Sequence, residues 1–411
     1  MNNRLTIYKN ISVLAIMQGL TYLIPFLIIP YVLRTIGVDY FGKIAFAVSI
    51  TAFAQLFIDY GFAFTATQET VAAENDSQKI GKLLVNITII KAFLTVAIFV
   101  LLFVLCIYTP VLKTNRALIF ISFLCVVPNS MVPNWLFQGI KKMEVRLYLT
   151  IIARGIPAVL VFIMVKRQTD YLWYLGVNAI GAWTALAVAL YICFRKYELP
   201  VKSFSIYEMG TIIRRETNVF VTQIAGAVIN NGAMVVLGFF ADSSTVGRFA
   251  VADKIIKLAI STTEPISIAI FPHSKELWDK DAKSAATFLK KAFLSGSVLY
   301  GILSLMIFLF ADTIVLFVIG HSQPTIAFLV RIMAILPLTV FMDNIFGVQN
   351  LMNRSKYRQL MVAALVSAFV LVFASFTLVP ALLDTGASMS FLFAELTMLL
   401  LTGYFVVRTT K

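Results

Sequence analysis

Twelve long apolar stretches constrain this chain more than anything else in it. They run over residues 10–33, 44–65, 83–108, 117–137, 147–165, 171–194, 218–241, 249–271, 292–310, 326–351, 360–383 and 387–407. Each is near the ~17–25 residues that a helix needs to cross a bilayer. In lipid a backbone must satisfy its own hydrogen bonds, so segments of this length are helices. With 60% hydrophobic residues, 13% charged residues and a mean hydropathy of +0.90, the chain reads as an all-α polytopic membrane protein of about twelve transmembrane helices. The weakest boundary follows 292–310, where Asp312 interrupts a further apolar run.

Lys and Arg alternate between the connecting segments and fix an orientation. With the N-terminus inside, the inner segments hold 22 of the 34 basic residues, the outer loops 7 and the spans 5. Positive charge is retained on the cytoplasmic side, so both termini are expected there. The first apolar run contains Pro25 and Pro30, exceeds a signal-peptide core and lacks a small-residue cleavage site, so it stays as the first span.

The longest connection, 195–215, lies at mid-chain and divides the protein into two expected six-helix bundles, 1–205 and 206–411. The halves repeat weakly. Laying 33–66 over 238–271 at an offset of 205 places Gly42 on Gly247, Lys43 on Arg248, Ala47 on Ala252, Ile50 on Ile255 and Asp59 on Glu264. Both copies enter the membrane in the same sense, as in a parallel repeat, and repeats with a site between them are a transporter architecture.

Several functions are disfavoured. The net charge of +14 belongs to basic loops rather than to a nucleic-acid surface. Cys106, Cys125 and Cys193 sit in apolar spans, and His273 and His321 lie in different loops, so neither a metal nor a cofactor is expected. The loops are short and carry no phosphate-binding or dinucleotide-binding glycine motif, which speaks against an enzyme. Glu276, Asp279 and Asp281 alternate with lysines as a solvated loop does.

The intramembrane charges remain. The span 249–271 carries Asp253, Lys254, Lys257 and Glu264, and on one continuous helix Asp253, Lys257 and Glu264 would share a face within roughly 40°. A charge at the bilayer centre costs at least ~2.5–3.5 kcal/mol, so this face turns to a bundle interior or a wet cavity. A structural Asp253–Lys257 pair and a charge-lined passage both fit, with Lys254 free to snorkel. Asp59, Lys91, Arg154, Arg331, Asp343 and Glu395 complete the set. Lys91 and Arg154 are ~12 and ~10 Å from the cytoplasmic starts of their spans and can meet an anionic headgroup entering from inside. Arg331 reads as snorkelling and Asp343 as structural, whereas Glu395 is mid-span, where a carboxyl suits reversible protonation. Prolines within or at the ends of spans, including Pro128, Pro157, Pro265 and Pro337, permit kinks.

The stretch PNWLFQGIKKM at 133–143 resembles the motif of the polysaccharide-exporter branch of the MOP superfamily, the Wzx-type O-antigen flippases, through Pro133, Trp135, Gln138 and Gly139. Asn10 with Gln18, PYVLRTIGVDYFGKIAFA at 30–47, DYGF at 59–62 and VGRFAVADKI at 246–255 agree with it. Lys141 departs from the acid common in relatives. The resemblance implies a MATE-like fold of two six-helix bundles in the bacterial inner membrane. It also implies a flippase that carries undecaprenyl-pyrophosphate-linked oligosaccharide repeat units from the inner to the outer leaflet, driven by an ion gradient. A polysaccharide polymerase and a chain-length regulator are partners by the same analogy. On this reading Lys91, Arg154, Lys254 and Lys257 are the cations that meet pyrophosphate, and Asp59, Asp253, Glu264 and Glu395 are candidates for ion coupling. The competing expectation is a multidrug or cation exporter of the same superfamily, which would favour acids over bases in its cavity.

Overall fold

The computed structural model describes residues 2–73, 76–197 and 205–410, with side chains from residue 24 onward except at 64, 196, 206, 218 and 410. The side chains of Arg4, Lys9, Asn10 and Gln18, and part of the expected linker at 198–204, lie outside the described residues. The chain is helical throughout, with no strand among the described residues. The helices are α1 (Asn2–Asp59), α2 (Phe62–Ala72), α3 (Ser77–Tyr108), α4 (Pro110–Thr114), α5 (Arg116–Met131), α6 (Asn134–Gly139), α7 (Met143–Met164) and α8 (Tyr171–Tyr191). They continue as α9 (Ile206–Phe240), α10 (Ser243–Ser261), α11 (Thr263–Lys280), α12 (Ala282–Leu309), α13 (Ala311–Ile319), α14 (Pro324–Met333), α15 (Leu336–Asn344) and α16 (Tyr357–Thr410). A π-helix over Ile345–Met352 follows α15.

Ten helical stretches among the described residues are long and apolar enough to cross a bilayer. Helices α1 and α16 each run on across a residue with non-helical backbone, Gly37 in α1 (φ 82°) and Leu383 in α16 (φ 51°). The expected outer loop at 34–43 is therefore corrected to helix interrupted at Gly37, a residue that bears positive φ without a Cβ penalty.

Breaks interrupt several of the expected spans, and two of them lie beside candidate charges. The span expected at 44–65 stops at Asp59, turns through Tyr60 (φ 44°) and Gly61 (φ 86°), and resumes as α2. The span expected at 249–271 ends at Ser261 and restarts at Thr263. Pro265 explains the second break: it has no N–H to give the carbonyl of Ser261 and its ring clashes there. Thr262 stabilises the corner, its hydroxyl lying 2.7 Å from the Ala259 carbonyl oxygen and 3.0 Å from the Tyr300 hydroxyl. Glu264 thus stands on a different helix from Asp253 and Lys257, and the single charged face expected for all three does not form.

The chain forms two compact units, one of Met1–Ile36 and Ala47–Ile224, the other of Gly37–Phe46 and Ala225–Lys411. They differ from the expected halves in two segments. Residues 206–224 of α9 belong to the first unit, where Met209 and Ile212 join a core with Phe62, Trp135, Leu136 and Phe137. Lys82 and Asn86 of α3 donate hydrogen bonds to Glu208 and hold the start of that helix. Residues 37–46 belong to the second unit because glycine lets backbones meet. A Cβ on Gly42 would lie 2.2 Å from the Ser243 carbonyl oxygen, and one on Gly247 would lie 2.2 Å from the Val38 carbonyl oxygen.

One turn occurs in both units. Lys142 N–H donates to the Phe137 carbonyl oxygen (2.8 Å) around Lys141 at φ 58°, and Lys356 N–H donates to that of Leu351 (2.8 Å) around Ser355 at φ 59°. In the second unit this turn follows a buried polar knot. Gln349, fully buried, donates to the Ser267 carbonyl and hydroxyl oxygens (both 3.0 Å) and accepts from Ser274 (2.9 Å), while Asn353 donates to the Ser274 hydroxyl (2.7 Å).

Candidate functional site

Each unit holds a charge cluster within its helices. In the first, Lys91 of α3 is 7% exposed and donates to Asp59 Oδ1 (2.8 Å) and to the Ser130 carbonyl oxygen (2.7 Å). The backbone explains the second bond. Helix α5 ends at Met131 before Pro133, and the Asn134 N–H, the partner Ser130 would have in a continuing helix, goes to Val132 instead. Asp59, at the last turn of α1, also accepts from Gln55 (3.4 Å) and keeps about a third of its side chain exposed. The pair thus has a buried cation and an accessible carboxylate.

In the second unit, Lys257 of α10 pairs with Asp253 one turn away (2.9 Å). It also donates to the Asn230 carbonyl oxygen of α9 (2.6 Å) and lies 5.7 Å from the centre of the Phe391 ring. Glu395, one turn beyond Phe391 on α16, is within electrostatic reach of Lys257 and of Asp343 on α15. Asp343 in turn accepts from the Thr402 hydroxyl (2.8 Å). Three acids and one base from α10, α15 and α16 thus gather in the second unit, with acids in excess.

The sequence candidates fall into distinct settings. Lys91 and Lys257 are engaged in ion pairs, and Lys254 is exposed on α10. Glu264 is in the first turn of α11. Arg154 is exposed at the middle of α7, near Tyr174 and Cys125, with no ion pair or hydrogen bond among the described residues. An arginine at that depth needs water or an anion beside it. Arg331 pairs with Asp312 of α13, and Arg248 with Asp384 (2.7 Å), an acid that hydropathy places between two apolar runs rather than within one.

The residues of the 133–143 motif serve packing. Trp135, Leu136 and Phe137 are buried in the first unit's core, and Gln138 accepts a hydrogen bond from Arg146 (2.9 Å). Gly139 abuts α2, where a Cβ would stand 2.4 Å from Thr70 Cβ.

The sequence matches the family described as "Polysaccharide biosynthesis protein" over residues 7–278, more than half of the chain. Two relatives carry the name "Putative O-antigen transporter". One, from Escherichia coli (strain K12), is 26% identical over 96% of this chain and 95% of its own; one from Shigella dysenteriae is 24% identical over 95% and 98%. Among solved structures, an inward-facing multidrug resistance MATE family transporter of the MOP superfamily has a TM-score of 0.77 at 13% identity, covering 95% of this chain and 94% of that one. The lipid II flippase MurJ in an inward closed conformation has a TM-score of 0.66 at 12% identity, covering 95% and 87%. The likeness to these two is one of fold. The chain is therefore a multi-pass membrane protein of the polysaccharide biosynthesis protein family, with a MOP-superfamily fold.

Proposed function

We propose that this protein is a flippase that carries O-antigen or related polysaccharide repeat units, linked to undecaprenyl pyrophosphate, from the inner to the outer leaflet of the bacterial inner membrane. The observation that carries this reading is Arg154, a mid-helix guanidinium exposed and unpaired among the described residues, in a family whose members handle polysaccharide. A pyrophosphate is the anion such a fork of donors accepts, and Lys254 is a second exposed cation for it. The full-length O-antigen transporter relatives support the cargo.

The rest of the reading follows from charge and symmetry. The lysine and arginine bias supports twelve spans with both termini in the cytoplasm. The recurring turn and the reciprocal glycine contacts support two repeats, near 1–205 and 206–411, that alternate access. Asp59, accessible beside Lys91, and the Asp253–Lys257–Glu395–Asp343 cluster are the carboxylate sites for an ion that drives transport. A polymerase and a chain-length regulator would receive the product.

The test is Arg154→Ala beside Arg154→Lys, expressed in a strain lacking the native protein. The alanine variant should lose surface polysaccharide at normal protein level, and the lysine variant should retain part of it. Full activity of the alanine variant would remove Arg154 from the substrate path.

A further inference from the structure

Glu216 of α9 is fully buried, and no hydrogen-bond donor among the described residues reaches either of its carboxyl oxygens. It sits on an apolar face. Ile212, one turn before it, packs into the first unit's core. Phe220, one turn after it, stacks on Tyr60 with ring centres 4.3 Å apart, and Val219 fills the space beside Gly61. Two charged groups act on it. Arg215 of the same helix approaches to 3.7 Å, beyond hydrogen-bond reach, with its other terminal nitrogen bound to Glu69 of α2; Glu69 itself is the second. An ionised carboxylate so enclosed carries a heavy desolvation cost, and a neutral carboxyl carries a much smaller one.

The helix that carries Glu216 makes this consequential. Residues 206–224 of α9 are part of the first unit and 225–240 part of the second, so one unbroken helix passes between them. We propose that Glu216 is a proton-binding group of the transport cycle, whose neutral form seats the first half of α9 against α2 and whose ionised form releases it. Burial raises the carboxyl from its ordinary range to about 7, so the proton is exchanged near neutral pH. The sign is that of a group with a raised pKa: the seated form holds the extra proton, and its stability is lost as pH rises from about 4.5 through about 7 and levels off above that. The role as a coupling group rests on the transport reading above, whereas the seating of the helix does not.

Hydrogen–deuterium exchange on the purified full-length protein, without substrate, separates the two. After correction for intrinsic rates, opening of residues 207–217 should increase about tenfold between pH 6 and pH 8 in the unmodified protein. Glu216→Gln should hold the segment closed at both pH values. Opening that does not change with pH in the unmodified protein, or the same rise in Glu216→Gln, would overturn the proposal. In cells, Glu216→Gln should stop export at normal protein level, and full export by that variant would remove Glu216 from the cycle. A different cargo would change the export assay and leave the exchange result standing.

Discussion

Gly42 and Gly247 lie 205 residues apart and press against each other's segments in a reciprocal way. A Cβ on Gly42 would strike the Ser243 carbonyl oxygen, and a Cβ on Gly247 would strike that of Val38, each at 2.2 Å. The same offset carries Val38 onto Ser243, so each contact is the image of the other under a local two-fold relation. Two helices cross here with backbone against backbone, and neither carbonyl can move aside as a flexible side chain could. Gly42→Ala and Gly247→Ala should each destabilise the protein by about 1–3 kcal/mol, the usual cost of overpacking. The symmetry predicts similar losses for the two variants. Thermal unfolding in detergent checks this, and unaltered midpoints would show that the segments separate freely.

The Lys91–Asp59 pair separates stability from transport. Lys91→Ala leaves Asp59 without its cation and the Ser130 carbonyl without its donor, at a cost of about 3 kcal/mol, the low end for a broken buried pair because Asp59 is partly exposed. Asp59→Asn keeps the shape and removes the charge. It leaves the buried Lys91 ammonium with only neutral acceptors and so also costs stability, and at matched protein level it should abolish ion-coupled export; retained export would make the pair purely structural.

Gln349→Ala tests the polar knot beside the π-helix. Removal of the amide takes the donor from the Ser267 oxygens and leaves the Ser274 hydroxyl with only the Phe271 carbonyl to donate to, which costs about 1–3 kcal/mol. Gln349→Glu should be worse, since it places a carboxylate against the Ser267 carbonyl oxygen. The unfolding midpoints of the two variants give the order.

The apolar lengths contained the helical membrane fold, and the repeat that aligned Gly42 with Gly247 joined two residues whose contacts in the structure are reciprocal. Other features left no trace in periodicity. The breaks at Tyr60–Gly61 and Thr262 sit inside apolar runs, and a hydropathy pattern does not register a single turned residue. Pro265 was a visible cause for the second break, yet a proline also permits a mere kink. The first half of α9 resembled a loop because Glu208, Arg214, Arg215 and Glu216 interrupt its apolar residues. Its 212, 216, 220 spacing was the available signal for a carboxyl on a packed face. The partners of Lys91 and Lys257 differed in the same respect. Asp253 lies one turn from Lys257 on one helix and was readable, whereas Asp59 and Ser130 meet Lys91 through tertiary folding.

The central claim is the cargo and its direction. The direct measurement is to delete this protein in its native host, extract the lipid-linked oligosaccharides and determine their leaflet. The account predicts that single undecaprenyl-linked repeat units accumulate on the cytoplasmic side and that surface polysaccharide is lost. Normal surface polysaccharide, with altered sensitivity to cationic drugs, would contradict it and make the protein an exporter of small molecules.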